Sequence, residues 1–212
     1  MLKLYDYYRS SASFRVRIAL NLKEIDYQQI PIHLVNNGGE QFSKVYQAIN
    51  PQNLVPTLQD GEKIITQSLA IIEYLEDTHP EPSLLPKNPY HRALARSFAL
   101  MIAADIHPLN NLRVLKFLTD ECTINENKKN QWYQHWTAKG LTALETSLTQ
   151  SSLTGDFCFG NTPTIADVFL IPQMYNAKRF NCDTSAYPLL NRIDAHCQSL
   201  LAFSNAWPKE IA

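Results

Sequence analysis

Four prolines fall among the eleven residues from His79 to Pro89, at positions 80, 82, 86 and 89. No helix or central strand runs through such a stretch, because each proline lacks a backbone N–H and restricts the residue before it. The chain of 212 residues is therefore divided there, and its two sides carry different patterns. Before the prolines, short strand-like runs alternate with helical ones. After them, the apolar repeats have the period of a helix.

Lys3-Leu4-Tyr5 predicts a first strand, Ser11 to Lys23 a helix, and Tyr27 to Ile32 a second strand. Asn50-Pro51-Gln52-Asn53 marks a turn. Thr57-Leu58-Gln59 and Lys63-Ile64-Ile65 flank Asp60-Gly61-Glu62, a hairpin signal because Asp-Gly supplies the positive φ that such a turn demands. Ser68 to Glu76 then carries a helical apolar face. Strand, helix, strand, hairpin and helix is the order of a small mixed sheet packed by helices. Beyond the prolines, helices are expected over Tyr90 to about Thr119, Asn125 to about Leu148, Ile165 to Ala177 and Tyr187 to Ala202. The expected fold is an α+β domain over residues 1–82 followed by an all-α domain over residues 88–212.

A net charge of −1 gives no electrostatic basis for binding nucleic acid or an acidic membrane. Small molecules and protein partners remain. No apolar run approaches the ~18 residues of a membrane span, and the start of the chain lacks the pattern of a signal peptide. A cytoplasmic protein is expected. Cys122, Cys158, Cys182 and Cys197 form no C-x-x-C pair, and the six histidines are scattered. That pattern points to reduced thiols and no metal site.

Chemistry concentrates where helices begin. Ser10-Ser11 follows the first strand and opens a helix, placing hydroxyls and free N–H groups at its positive end. Such an end holds an anion or stabilises a thiolate. Val55-Pro56, at the entry to the hairpin, is a candidate cis peptide. Gln67-Ser68 opens the next helix, and two readings stay open there: simple capping, or a helix start that holds a carboxylate. Thr164 with Asp167 three residues on predicts a capping box, a structural role.

Tyr7-x-Arg9-Ser10-Ser11 with Arg15-Val16-Arg17-Ile18-Ala19-Leu20, Asn50-Pro51-x-x-x-Val55-Pro56-x-Leu58, and Gln67-Ser68-x-Ala70-Ile71-Ile72-Glu73-Tyr74-Leu75 together resemble the glutathione transferase family, and most of all its zeta class. Asp105 to Leu115 looks like a zeta-type active-site helix, and Gly160 to Leu170 is similar to the family's capping motif, so the likeness runs end to end. It implies the glutathione transferase fold: a thioredoxin-like first domain that grips glutathione, and a helical domain that supplies the second substrate's pocket. Carried over by motif, Ser10 would donate a hydrogen bond to the glutathione sulfur, with Ser11 beside it. Val55 would pair with the cysteinyl part through its backbone, Gln67 and Ser68 would hold the γ-glutamyl end, and Gln41 the glycyl region. His107 and Asn111, four apart and so on one helix face, would line the cleft.

The resemblance further implies a glutathione-dependent cis-trans isomerase. Its thiolate would add reversibly to the double bond of an enone-bearing dicarboxylate such as 4-maleylacetoacetate, in the breakdown of tyrosine and phenylalanine. Such a substrate needs cations. Arg9 and Arg179 are the candidates for its carboxylates, with Arg113 and Lys178 in reserve. Arg15 and Arg17 read as interface residues, and a homodimer is implied. The alternatives are a maleylpyruvate isomerase, a transferase or dehalogenase acting on α-haloacids, and a binding protein without activity. Many zeta-class sequences read Ser-Ser-Cys where this chain has Ala12, so no protein thiol at that place takes part.

Overall fold

Strand β1 (Leu2–Asp6) lies inside a sheet of order β2-β1-β3-β4, parallel to β2 (Tyr27–Pro31) and antiparallel to β3 (Thr57–Asp60). β3 pairs antiparallel with β4 (Lys63–Thr66), with Asp60 opposite Lys63. The connecting turn is made at Gly61, whose φ of +59° is the conformation a side chain disfavours. Helices α1 (Ser11–Leu22) and α3 (Ser68–Thr78) pack together, and α2 (Lys44–Ile49) is a short connection between them in sequence. Leu2, Leu4 and Leu58 of the sheet meet Val16 and Leu20 of α1 and Ile71 and Leu75 of α3 in one buried cluster. The sheet and helices expected of a thioredoxin-like domain are thus present.

The computed structural model describes residues 1–210, which fall into two units. Met1–Leu84 and the segment from Leu200 onward form one, and Leu85–Ser199 the other. The second is helical: α4 (Pro89–Leu100), α5 (Leu112–Asp120), α6 (Glu126–Gln150), α7 (Ile165–Arg179) and α8 (Pro188–Gln198). The capping box of α7 forms as expected. Thr164 Oγ1 accepts from Ala166 N at 3.3 Å, and Asp167 Oδ2 accepts from Thr164 N at 2.8 Å. Asp167 Oδ1 also accepts from Cys158 N at 2.8 Å, pinning the preceding loop to the helix start. Among the described residues no helix is long and apolar enough to cross a membrane, and no cluster of side chains suits a metal ion.

Two of the expected helices are corrected. The single helix expected over Tyr90 to Thr119 is interrupted. α4 runs into a π-helical segment (Met101–Ile106), then a 3-10 turn (Pro108–Asn110), before α5 begins at an Asn111 cap. Pro108 has no N–H to continue the ladder, and Asn111 Oδ1 accepts from Arg113 N at 3.1 Å to start a new helix. The helix expected over Tyr187 to Ala202 ends at Gln198, and a separate α9 (Leu201–Asn205) packs on α1 in the first unit. Arg15 and Arg17, expected at a domain or subunit interface, are both buried. Arg17 makes an ion pair with Asp6 at 2.8 Å and donates to Ala206 O at 3.0 Å, so it fastens β1 and the C-terminal segment to α1.

The end of the first unit is held by a second buried pair. Lys23 Nζ lies 2.5 Å from Glu76 Oε1 and donates to the carbonyls of His79 and Pro82. Glu76 in turn accepts from Leu84 N and Ser83 Oγ, each at 2.9 Å. Breaking one side of such a pair leaves the other charge buried without compensation. Lys23→Met should therefore lower the unfolding free energy by about 3–5 kcal/mol, read from urea denaturation followed by circular dichroism.

Candidate active site

The chain leaves β1 through a turn closed by Ser10 N–H donating to Tyr7 O at 2.8 Å, and enters α1. Ser10 is the N-cap, with extended backbone (φ −71°, ψ 118°), and its Oγ accepts from Ser13 N at 3.2 Å. Capping uses a lone pair of the oxygen and leaves the hydroxyl proton to be donated elsewhere. Ser10 is half-buried, so that proton is within reach of a bound molecule. Ser11 follows as the first, buried residue of the helix. Together they form a donor beside the positive end of a helix. Arg9 is exposed, with its guanidinium 5.0 Å from the centre of the Tyr8 ring, so the cation is free to turn toward a ligand carboxylate.

Val55 sits in the loop before β3, and the Val55–Pro56 bond is cis, as the sequence suggests. The loop is fixed from below: Leu54 O accepts from Tyr46 Oη at 2.6 Å and from Asn50 Nδ2 at 2.8 Å. Asn50 Nδ2 also reaches Thr57 Oγ1 at 3.1 Å, on the far side of the cis bond. Tyr46 and Asn50 thereby set the position of Val55 from both flanks. Neither role is visible in the sequence beyond the turn signal at Asn50-Pro51.

At the start of α3, Gln67 adopts φ +71° and ψ 120°, a conformation rare for a residue with a side chain. Its Nε2 donates to Gln52 Oε1 at 2.8 Å, which leaves its carboxamide oxygen as an acceptor. Ser68 is the next residue and the first of the helix. Its hydroxyl accepts from Arg15 Nη1 at 3.3 Å, and so retains its own proton as a donor. Gln41 is buried, donates weakly to Leu34 O at 3.4 Å, and leaves Oε1 without a partner among the described residues. The set offers helix starts that suit anions, serine protons to donate and an amide oxygen to accept.

In the helical unit, His107 and Asn111 do not share a helix face, since the 3-10 turn lies between them. The turn nevertheless brings them together, Asn111 Nδ2 lying 3.4 Å from His107 Nε2. The π-helical segment before His107 is accommodated by Gly140 of α6. A Cβ there would lie 2.2 Å from Ile106 Cδ1. Of the reserve cations, Lys178 is paired with Asp194 and Arg113 is exposed on α5. Arg179, at the end of α7, is exposed, and its guanidinium lies 5.1 Å from the centre of the Phe180 ring.

A family model described as "Glutathione S-transferase, N-terminal domain" matches residues 4–83. A probable maleylacetoacetate isomerase of Vibrio cholerae is 48% identical over 206 residues, covering 97% of this chain and 95% of the relative. A holo structure of a maleyl pyruvate isomerase, a bacterial zeta-class glutathione transferase, superposes with a TM-score of 0.94 at 42% identity, covering 97% and 96% of the two chains. The structure of a maleylacetoacetate isomerase from Methylobacterium extorquens with bound malonate and GSH does so with a TM-score of 0.93 at 42% identity, with the same coverage of 97% and 96%.

The strained backbone at Gln67 carries its own expectation. Gln67→Gly relieves a conformation that costs on the order of 1 kcal/mol and removes the amide. Thermal unfolding should shift upward, while glutathione affinity by titration calorimetry falls about tenfold. Unchanged glutathione affinity in this variant would show that Gln67 takes no part in binding.

Proposed function

The chain belongs to the glutathione transferase family, in its zeta class, and from that membership we propose that it is a glutathione-dependent cis-trans isomerase converting 4-maleylacetoacetate to 4-fumarylacetoacetate. The observation that carries the chemistry is Ser10. It caps α1 through its oxygen and keeps its proton for a sulfur anion at the helix start. When bound, glutathione supplies a thiolate that adds reversibly to the cis double bond and departs after rotation, so that it serves as a cofactor.

The chain's own residues divide the remaining work. Ser10, with Ser11 at the first turn of α1, favours the thiolate over the thiol, which free in water is only a few per cent ionised at neutral pH. Gln67 and Ser68 hold the γ-glutamyl end, the Val55 backbone holds the cysteinyl unit, and Gln41 meets the glycyl region. Arg9 and Arg179 receive the two carboxylates of the substrate, and Arg9 lies nearest in sequence to the donor that faces the sulfur. His107 and Asn111 serve the ligand from the helical unit. The contact between them orients the imidazole.

The similarity to a maleyl pyruvate isomerase makes maleylpyruvate the competing substrate. The two acceptors share a cis-enone and differ at the end away from it, where Arg179 would act. In the working state the protein is taken to be a cytoplasmic homodimer, which sedimentation equilibrium reads directly.

Isomerisation of maleylacetone, followed spectroscopically, should be abolished when glutathione is omitted. Ser10→Ala should reduce the rate by about 100-fold, the usual effect of deleting one donor to a developing anion, while lowering stability by only about 1 kcal/mol through loss of the cap. Full activity without glutathione, or in Ser10→Ala, would overturn the assignment. The ratio of kcat/KM for maleylacetoacetate and maleylpyruvate settles the substrate.

A further inference from the structure

Arg15 lies on α1 one turn beyond Ser11, and only 1% of it is exposed. Taking a guanidinium out of water is unfavourable, and an apolar side chain would fill the same space among helices at less expense. Burial pulls this group down to about 9, so it still carries its charge at neutral pH. Its Nη1 donates to Ser68 Oγ at 3.3 Å, and Ser68 is itself only 6% exposed. The contact joins the second turn of α1, through Arg15, to the first turn of α3, through Ser68.

We propose that Arg15 is a positioning residue for the corner formed by Gln67 and Ser68, orienting the Ser68 hydroxyl from behind and setting a permanent positive charge beneath the start of α3. The inference rests on the reading of this corner as the γ-glutamyl subsite. A hydroxyl that accepts from a cation has its remaining proton directed away from that cation, and donates it more strongly. The guanidinium charge adds to the positive end of the helix, and little water intervenes to weaken it. Gln67, fixed by Gln52, contributes an acceptor beside it. A ligand with both a carboxylate and an ammonium group, as the γ-glutamyl end has, meets a donor and a positive field on one side and an amide oxygen on the other.

The test compares two ligands with the same thiol. Glutathione carries the γ-glutamyl group and cysteinylglycine lacks it. By titration calorimetry, Arg15→Gln should weaken glutathione about tenfold and leave cysteinylglycine unchanged, and Arg15→Lys should recover part of the loss by restoring the cation. Ser68→Ala, a small truncation that leaves the buried charge in place, should show the same ligand-selective loss. The double variant Arg15→Gln with Ser68→Ala should lose less than the sum of the two, as groups acting in one contact do. Wild-type glutathione affinity in Arg15→Gln, or an equal loss for both ligands in Arg15→Gln and in Ser68→Ala, would overturn the proposal. Failure of the wild-type protein to bind glutathione would instead overturn the functional reading beneath it.

Discussion

Helix α1 is buried from Ser11 to Leu20, with no continuous solvent-facing stripe, and its guanidinium groups must therefore be satisfied inside the protein. That constraint organises the first unit. Arg17 is answered by Asp6 at the end of β1 and by the Ala206 carbonyl, which draws the C-terminal segment back across the helix. Asn21 does the same for Ala202 O, and Phe14 for Trp207, edge-on at 5.6 Å. Arg15 is answered by Ser68, which couples the start of α3 to the start of α1. Two helix starts that would otherwise be separate anion-binding ends are thus tied through one buried side chain.

What the sequence makes legible are the features whose causes are local. The hairpin follows from the backbone freedom of Gly61, the start of α1 from Ser10, the start of α7 from Thr164 and Asp167, and the divide from the prolines. Ser10, Val55, Gln67 and Ser68 draw notice in the sequence for the same reason, because they stand at element boundaries where backbone groups are left over. The features missed are those settled by tertiary contacts. α9 reads as a continuation of α8 by period alone, and only its packing on α1 assigns it to the first unit. Arg15 and Arg17 are buried where arginine is usually exposed, and nothing local names the partners that Asp6, Ala206 and Ser68 provide. Gln52, Tyr46 and Asn50 use their side chains to bond residues up to 15 positions away, and a turn signal says nothing of that.

In the helical unit the break between α4 and α5 has a similar origin. Pro108 is visible in the sequence, yet a proline within a helical period can either kink a helix or end it. The outcome is decided by Ile106 packing against a glycine of α6, which admits the wider π-helical turn before His107, and by Asn111 capping a new helix. The same asparagine holds the histidine ring, so the break and the orientation of His107 have one cause. Lys178 and Arg179 are adjacent and were both candidates for carboxylate binding. Pairing with Asp194 occupies the lysine, whereas the neighbouring arginine is exposed and lies over Phe180.

The thiols of the chain bear on where a nucleophilic sulfur could come from. Burial pushes Cys158 well above its usual range, with the Asp167 carboxylate adding to the effect, and pushes Cys197 and Cys182 up as well. These three are held in the protonated, unreactive form. Cys122 is exposed after α5, in the unit that does not contain Ser10. Position 12, in the first turn of α1, is an alanine, at the place where the helix end and the Ser10 proton would most favour a thiolate. On the role proposed for Ser10, the chain supplies the helix start and none of its own thiols to it. A site of that kind works only on a thiol that arrives with a ligand, and the donors around it suit a ligand with carboxylates at its two ends.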